Sequence, residues 1–273
     1  MPRSATANID VDTGIPVGIA GPRKRIYYYE DFRLMPYAQY VAGTIADTPT
    51  DDQIEEGLET NKDWELDGGS TACAFSAEGG IALTTGSSDD DQAILIPNGS
   101  SILANGLNTI TWDTDKRPAV EWCFSTTSTI TSMTAWCGFK LAAGAIVDPY
   151  NTTTDNDSVV VEYVAGEANF RIRYSTDTAD GETVVDYNQD TGIAVKASTT
   201  YVVKIALDSD RVAWVNIADA ANLGAAVEIP TKYALKSVNT FKPTLGLENM
   251  SGSARTLNVR YVALGRDRLN ADD

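Results

Sequence analysis

Histidine is missing from this chain altogether. That absence removes the commonest general base, every Ser-His-Asp or Cys-His arrangement and most zinc sites. Cysteine is scarce: Cys73, Cys123 and Cys137 are far apart, odd in number, and each lies in an apolar, strand-like run. Such thiols are expected to be buried and free, neither a disulfide framework nor a metal knuckle. Long apolar runs are also lacking. No stretch approaches ~18 apolar residues, as a membrane-spanning helix requires, and the opening MPRSATANIDVDTGIPVG has no apolar signal-peptide core. The expectation is a chain made in the cytoplasm and not exported by a classical route. Positive charge is in short supply as well: 21 Lys and Arg stand against 38 Asp and Glu, a net charge of −17. This balance argues against binding nucleic-acid phosphates or anionic membrane, and it suits solubility or a basic partner surface.

What is present is strand after strand. The 273 residues are 43% hydrophobic, enough for one large β domain with a sizeable core. Thr199 to Ala220 is the clearest stretch. Tyr201, Val203, Ile205 and Leu207 alternate with Val202, Lys204, Ala206 and Asp208, the period of a strand with one buried face. Folding the run at Ser209-Asp210 sets Asp208 opposite Arg211 as an ion pair, Leu207 opposite Val212 and Ile205 opposite Trp214. In that register Trp214 is a core residue, as are Trp64, Trp112, Trp122 and Trp136.

Further strands are expected at Trp64–Asp67, Ala72–Ser76, Ile81–Thr85, Ala93–Ile96, Ile110–Trp112, Ala119–Ser125 and Ala135–Lys140. Others follow at Ser158–Val164, Phe170–Ser175, Thr183–Tyr187, Lys242–Glu248 and Thr256–Leu264. Turn signals such as Asp67-Gly68-Gly69, Glu78-Gly79-Gly80 and Asp180-Gly181 separate them. At most one short helix is indicated, opened by a capping box at Thr50 to Gln53 and running through Ile54 and Leu58. The reading is an all-β antiparallel sandwich over 25–273, preceded by an extended arm over 1–24 rich in Pro, Gly, Thr and Asp.

The order WELDGG (64–69), GIALTTG (80–86), KRPAVEWCF (116–124), the hairpin and TLNVRYVALGRDR (256–268) resembles the concanavalin A-like, laminin-G-like jelly-roll structural proteins of tailed bacteriophages. The resemblance covers about 60–268 and rests on strand pattern and punctuation. It implies two curved antiparallel sheets packed face to face and a role in capsid decoration or in tails and fibres.

Hydrolases on the same jelly roll carry two glutamates and an aspartate on one strand, facing a cleft. Here Glu121 stands alone in VEWCF and Glu162 alone in VVVEYV, with no second carboxylate two or four residues away. A non-enzyme is expected. Asp89, Asp90 and Asp91, and Asp155 with Asp157, are oxygen-rich loop clusters of the kind calcium takes, and laminin-G-like domains often hold calcium at a loop rim. Acidic loop tips are equally ordinary in so acidic a chain. Tyr27, Tyr28, Tyr29, Tyr37 and Tyr40 form an aromatic stretch beside the basic cluster Arg23, Lys24 and Arg25. Tyr27 and Tyr29 read as packing, while Tyr37 and Tyr40 are candidates for gripping a partner or a sugar. In the arm, Ile15, Val17 and Ile19 alternate as a strand that adds to a neighbour's sheet edge would, with the Arg23–Arg25 charges behind them.

The expectation from these readings is a non-enzymatic virion protein, a capsid decoration or cement subunit binding the major capsid protein, other virion proteins or its own copies as a homo-oligomer. The alternative is a carbohydrate-binding receptor or tail-fibre module acting on a surface glycan.

Overall fold

The structure, a computed structural model, describes residues 8–9, 16–17, 25–32, 64–67, 72–97, 112–141, 158–177, 184–235 and 240–267. In chain order the strands are β1 (Asn8–Ile9), β2 (Pro16–Val17), β3 (Arg25–Glu30), β4 (Trp64–Asp67), β5 (Ala72–Phe75), β6 (Ile81–Thr84), β7 (Gln92–Pro97), β8 (Trp112–Asp113) and β9 (Ala119–Thr126). They continue as β10 (Met133–Leu141), β11 (Ser158–Val164), β12 (Asn169–Asp177), β13 (Val184–Ala194), β14 (Thr200–Leu207), β15 (Ala213–Asp219), β16 (Val227–Pro230), β17 (Thr240–Asn249) and β18 (Thr256–Asp267). Among the described residues the helical content is two short 3-10 segments, Thr114–Lys116 and Ala220–Ala225.

Two eight-stranded antiparallel sheets make the sandwich. The first runs β13-β12-β11-β10-β17-β7-β4 with β8 also on β17, and the second runs β16-β15-β14-β9-β18-β6-β5 with β3 also on β18. The period-two pattern explains why they stack. On β14, Tyr201, Val203, Ile205 and Leu207 are buried while Val202, Lys204 and Ala206 alternate outward. The inner faces interlock through aromatic rings. Across the gap Trp64 meets Trp122 edge-on at 5.4 Å and Phe170 meets Tyr201 edge-on at 4.9 Å, while within the first sheet Phe139 stacks on Phe241 at 5.5 Å. Such pairs add about 0.5–1.5 kcal/mol each to the area they bury. β18 is the hub of the second sheet: β9 lies along one side, and β6 and β3 share the other.

The jelly roll and the strand order along the chain agree with the sequence reading, and Trp64–Asp67 and Ser158–Val164 agree to the residue. The three cysteines are buried and free, on β5, β9 and β10. β16 was not foreseen, because its mostly exposed Val227–Pro230 has no alternation to read.

The hairpin register is corrected by one residue. Leu207 pairs with Ala213, Ala206 with Trp214 and Ile205 with Val215. The cause is the turn. Asp208 accepts from the backbone N–H groups of Asp210 at 2.9 Å and Val212 at 3.0 Å, and Arg211 takes a left-handed φ of 62°. The Asp208 N–H still donates to the Val212 carbonyl at 3.1 Å, so the turn holds three residues, 209–211, instead of two. Asp208 and Arg211 do not form the expected ion pair: Arg211 Nε donates to the Leu235 carbonyl. A one-residue slip turns every side chain over, so Trp214 faces outward and Ala213, Val215 and Ile217 enter the core.

The helix expected over 50–58 lies outside the described residues. Of the arm, Asn8–Ile9 pairs antiparallel with Pro16–Val17, Asn8 opposite Val17.

Candidate functional site

Each sheet has an outer face, and the two differ. On the first sheet, Trp136 lies against Gly246, where a Cβ would fall 2.1 Å from the indole. Trp136 joins Ile94, Ile96 and Val160 in a small, buried apolar cluster. Glu162 on the same face is fully buried, with its carboxylate 3.0 Å from Arg173 Nε.

The outer face of the second sheet carries exposed aromatic rings above small residues. One row across the strands reads Pro230, Trp214, Ala206, Ala119, Gly265, Tyr27. The row beside it reads Glu228, Asn216, Lys204, Glu121, Ala263, Tyr29. Trp214 is 39% exposed, yet it does not swing freely, since its Nε1 donates to Asp208 Oδ2 at 2.8 Å. Its cross-strand neighbours Pro230 and Ala206 are too short to cover it. At the other end the Tyr27 ring rests over Gly265, 3.4 Å from where a Cβ would stand. Tyr29, also exposed, pairs with Tyr261 at 5.6 Å between ring centroids.

Polar groups sit between these aromatic ends. Asn216 is only 7% exposed, and its Nδ2 has no hydrogen-bond partner among the described residues. A buried amide left unpaired costs about 1–3 kcal/mol, so such a group calls for an explanation. The Glu121 carboxylate accepts from Tyr261 Oη at 2.8 Å. Burial raises its pKa above the usual carboxylate range, with Tyr261 and the neighbouring Lys204 opposing the rise. Burial likewise pushes the adjacent Cys123 thiol up to about 12.

Glu121 and Glu162 are set on opposite outer faces of the sandwich. Stacked sheets lie ~10 Å apart, and both side chains point away from the gap. Their separation therefore exceeds the roughly 5–9.5 Å that an acid and a nucleophile or base require across a glycosidic bond.

The residues singled out in the sequence fall elsewhere. Asp89, Asp90 and Asp91 lie in the turn before β7. Asp89 and Asp90 are exposed, Asp90 has a left-handed φ of 66°, and Asp91 Oδ2 accepts from the Ser88 N–H at 2.8 Å. Asp155 and Asp157 lie outside the described residues. Among the described residues no group of three or more His, Cys, Asp or Glu side chains is arranged to hold a metal ion. Ile15, Ile19, Arg23, Lys24, Tyr37 and Tyr40 also lie outside the described residues. Val17 belongs to the β1–β2 pair, and Arg25 begins β3 opposite Asp267. Trp214, expected in the core, lies on the outer face, and Asn216, Lys204 and Tyr261 belong to no motif that marks them in the sequence. The usable signal was Asn216, which shares the parity of Trp214 and is a poor core residue.

No protein-family profile matches the chain, and no curated protein matches its sequence. Solved structures do resemble it. A Shewanella oneidensis MR-1 protein of unknown function is 10% identical, with a TM-score of 0.55 over 89% of this chain and 87% of that one. The Emp47p carbohydrate recognition domain is 12% identical, with a TM-score of 0.49 over 76% of this chain and 90% of that one. Lectin II from Ulex europaeus is 10% identical, with a TM-score of 0.49 over 90% of this chain and all of that one. The likeness is one of fold, the concanavalin A-like jelly-roll sandwich.

Proposed function

We propose that the protein is a non-catalytic carbohydrate-binding module whose ligand rests on the outer face of the second sheet. The observation that carries this reading is Trp214, an exposed indole held in one orientation by Asp208 beside the unpartnered amide of Asn216. A sugar ring offers the complement: an apolar C–H face for the indole and hydroxyls for an amide and an ammonium group. Aromatic side chains with one apolar face and one wet edge suit such mixed surfaces. Titration of the full chain and of its Trp214→Ala variant against neutral oligosaccharides by calorimetry tests it, with tryptophan fluorescence as a second readout in the wild type. The other four tryptophans are buried, so the binding signal belongs to Trp214. Trp214→Ala is expected to weaken binding at least about tenfold, ~1.4 kcal/mol. Unchanged affinity in that variant sinks the reading.

The setting we propose is a virion, with the arm as its anchor. That part rests on the sequence resemblance and on the Ile15, Val17, Ile19 alternation with Arg23, Lys24 and Arg25 behind it. Gradient-purified virions should contain the protein, and a chain starting at Ile26 should bind sugar normally yet fail to join the particle. Normal incorporation of that shortened chain removes the arm from the account.

A further inference from the structure

We infer that the second sheet's outer face binds a linear, uncharged polysaccharide along its length, laid across β15, β14, β9, β18 and β3 from Trp214 to Tyr27 and Tyr29. The inference rests on the carbohydrate-binding reading and adds the shape and charge of the ligand. Trp214 and Tyr27 occupy the same row, four inter-strand steps apart. At ~4.8 Å per step that is ~19 Å, the length of several sugar rings and beyond the reach of one or two. Between them stand Ala206 and Ala119, with Gly265 beneath the Tyr27 ring, which leave a low floor under any chain bridging the two aromatic ends. A bulky residue at any of the three would interrupt it.

The parallel row supplies hydrogen bonds along the same path. Asn216, Lys204 and Glu121 sit at successive strands, one step to the side of Trp214, Ala206 and Ala119. The Asn216 Nδ2 is the group that points to a ligand, being more than nine-tenths buried and without a partner. Lys204 and Glu228, its neighbours in register, have long side chains that a rotamer change moves aside, after which a sugar hydroxyl satisfies the amide. Charge selects against acidic glycans. Asp208 holds the Trp214 indole, Glu228 flanks Asn216, and the whole chain carries −17, so a uronate or sulfated chain meets like charge at the entry end.

The test is calorimetric titration of the full chain with cello-, laminari- and manno-oligosaccharides of two to six units. In at least one series affinity should rise at least tenfold between two and five units and then level off. Tyr29→Ala should flatten that rise. Ala206→Gln, which only adds length to a half-exposed position of the floor, should do the same without disturbing the core. Binding that depends on Trp214 but not on ligand length overturns this inference and leaves the carbohydrate reading standing. No binding in any series overturns the carbohydrate reading itself. A sedimentation shift to a dimer that Trp214→Ala dissolves, with no effect of sugar, gives the face to a second copy of the chain and overturns both.

Discussion

The Trp214 indole donates to Asp208 Oδ2 at 2.8 Å, across the turn of the hairpin both residues belong to. The same carboxylate receives the backbone N–H groups of Asp210 and Val212. One side chain thus shapes the turn, sets the register behind it and aims the exposed ring.

Trp214→Ala is accordingly expected to cost under ~1 kcal/mol in chemical denaturation, as surface changes usually do. Asp208→Ala, which removes an acceptor used three times, should cost roughly 1–2 kcal/mol. The reverse ranking, with Trp214→Ala losing several kcal/mol, would return the indole to the core and break the register described above.

Trp122 provides the contrast. It is fully buried and meets Trp64 edge-on. Trp122→Ala should destabilise the fold by about 3–5 kcal/mol through lost burial and the cavity left behind. A denaturant midpoint close to wild type would contradict its place between the sheets.

Glu121 makes a pH prediction. Burial raises its folded pKa, so the stability it contributes is full below the unfolded carboxyl value and is lost as pH rises above it. Glu121→Gln keeps an oxygen acceptor for the Tyr261 hydroxyl and has no charge to bury. The variant should lose part of the decline in stability that the wild type shows in the window opening above about pH 4.3, the unfolded glutamate value. Parallel stability–pH curves for the two proteins would mean that Glu121 does not titrate in that window.

The thiols give the fourth test. Cys73, Cys123 and Cys137 are buried and free, and burial pushes the Cys123 thiol up to about 12. Native protein should therefore resist thiol labelling at pH 8, whereas unfolding without reductant should expose all three. Since the folded thiol pKa is raised, its contribution to stability is present below about pH 8.5 and falls as pH climbs toward 12. Recovery of a single reactive thiol after unfolding would reveal a disulfide.

The fold was legible because strand alternation and turn residues are local signals. Tyr201, Val203, Ile205 and Leu207 announce a buried face with no knowledge of their partners. The face that carries the candidate site was not legible, for two reasons. A turn held by Asp208 has one residue more in effect than its polar tip suggests, and that single step decides whether Trp214 is inside or outside. The second reason is distance along the chain. Trp214, Ala119, Gly265 and Tyr27 share a row only because β9 and β18 sit between β14 and β3, an order that no local pattern encodes.

The position of β18 in the second sheet has a kinetic consequence. It is the last described strand, and it joins β9 on one side to β6 and β3 on the other. Until it docks, β3 lacks its partner in that sheet and β9 has a vacant side. Closing loops of that length must be endured before their contacts reward it, which places such β topologies at the slow end, milliseconds to seconds. During synthesis the early strands leave the ribosome with open edges, and a pairing-competent β9 waits while four of the eight strands of its sheet are still being made. An acidic chain, whose copies repel one another, is well suited to survive that interval without edge-to-edge association.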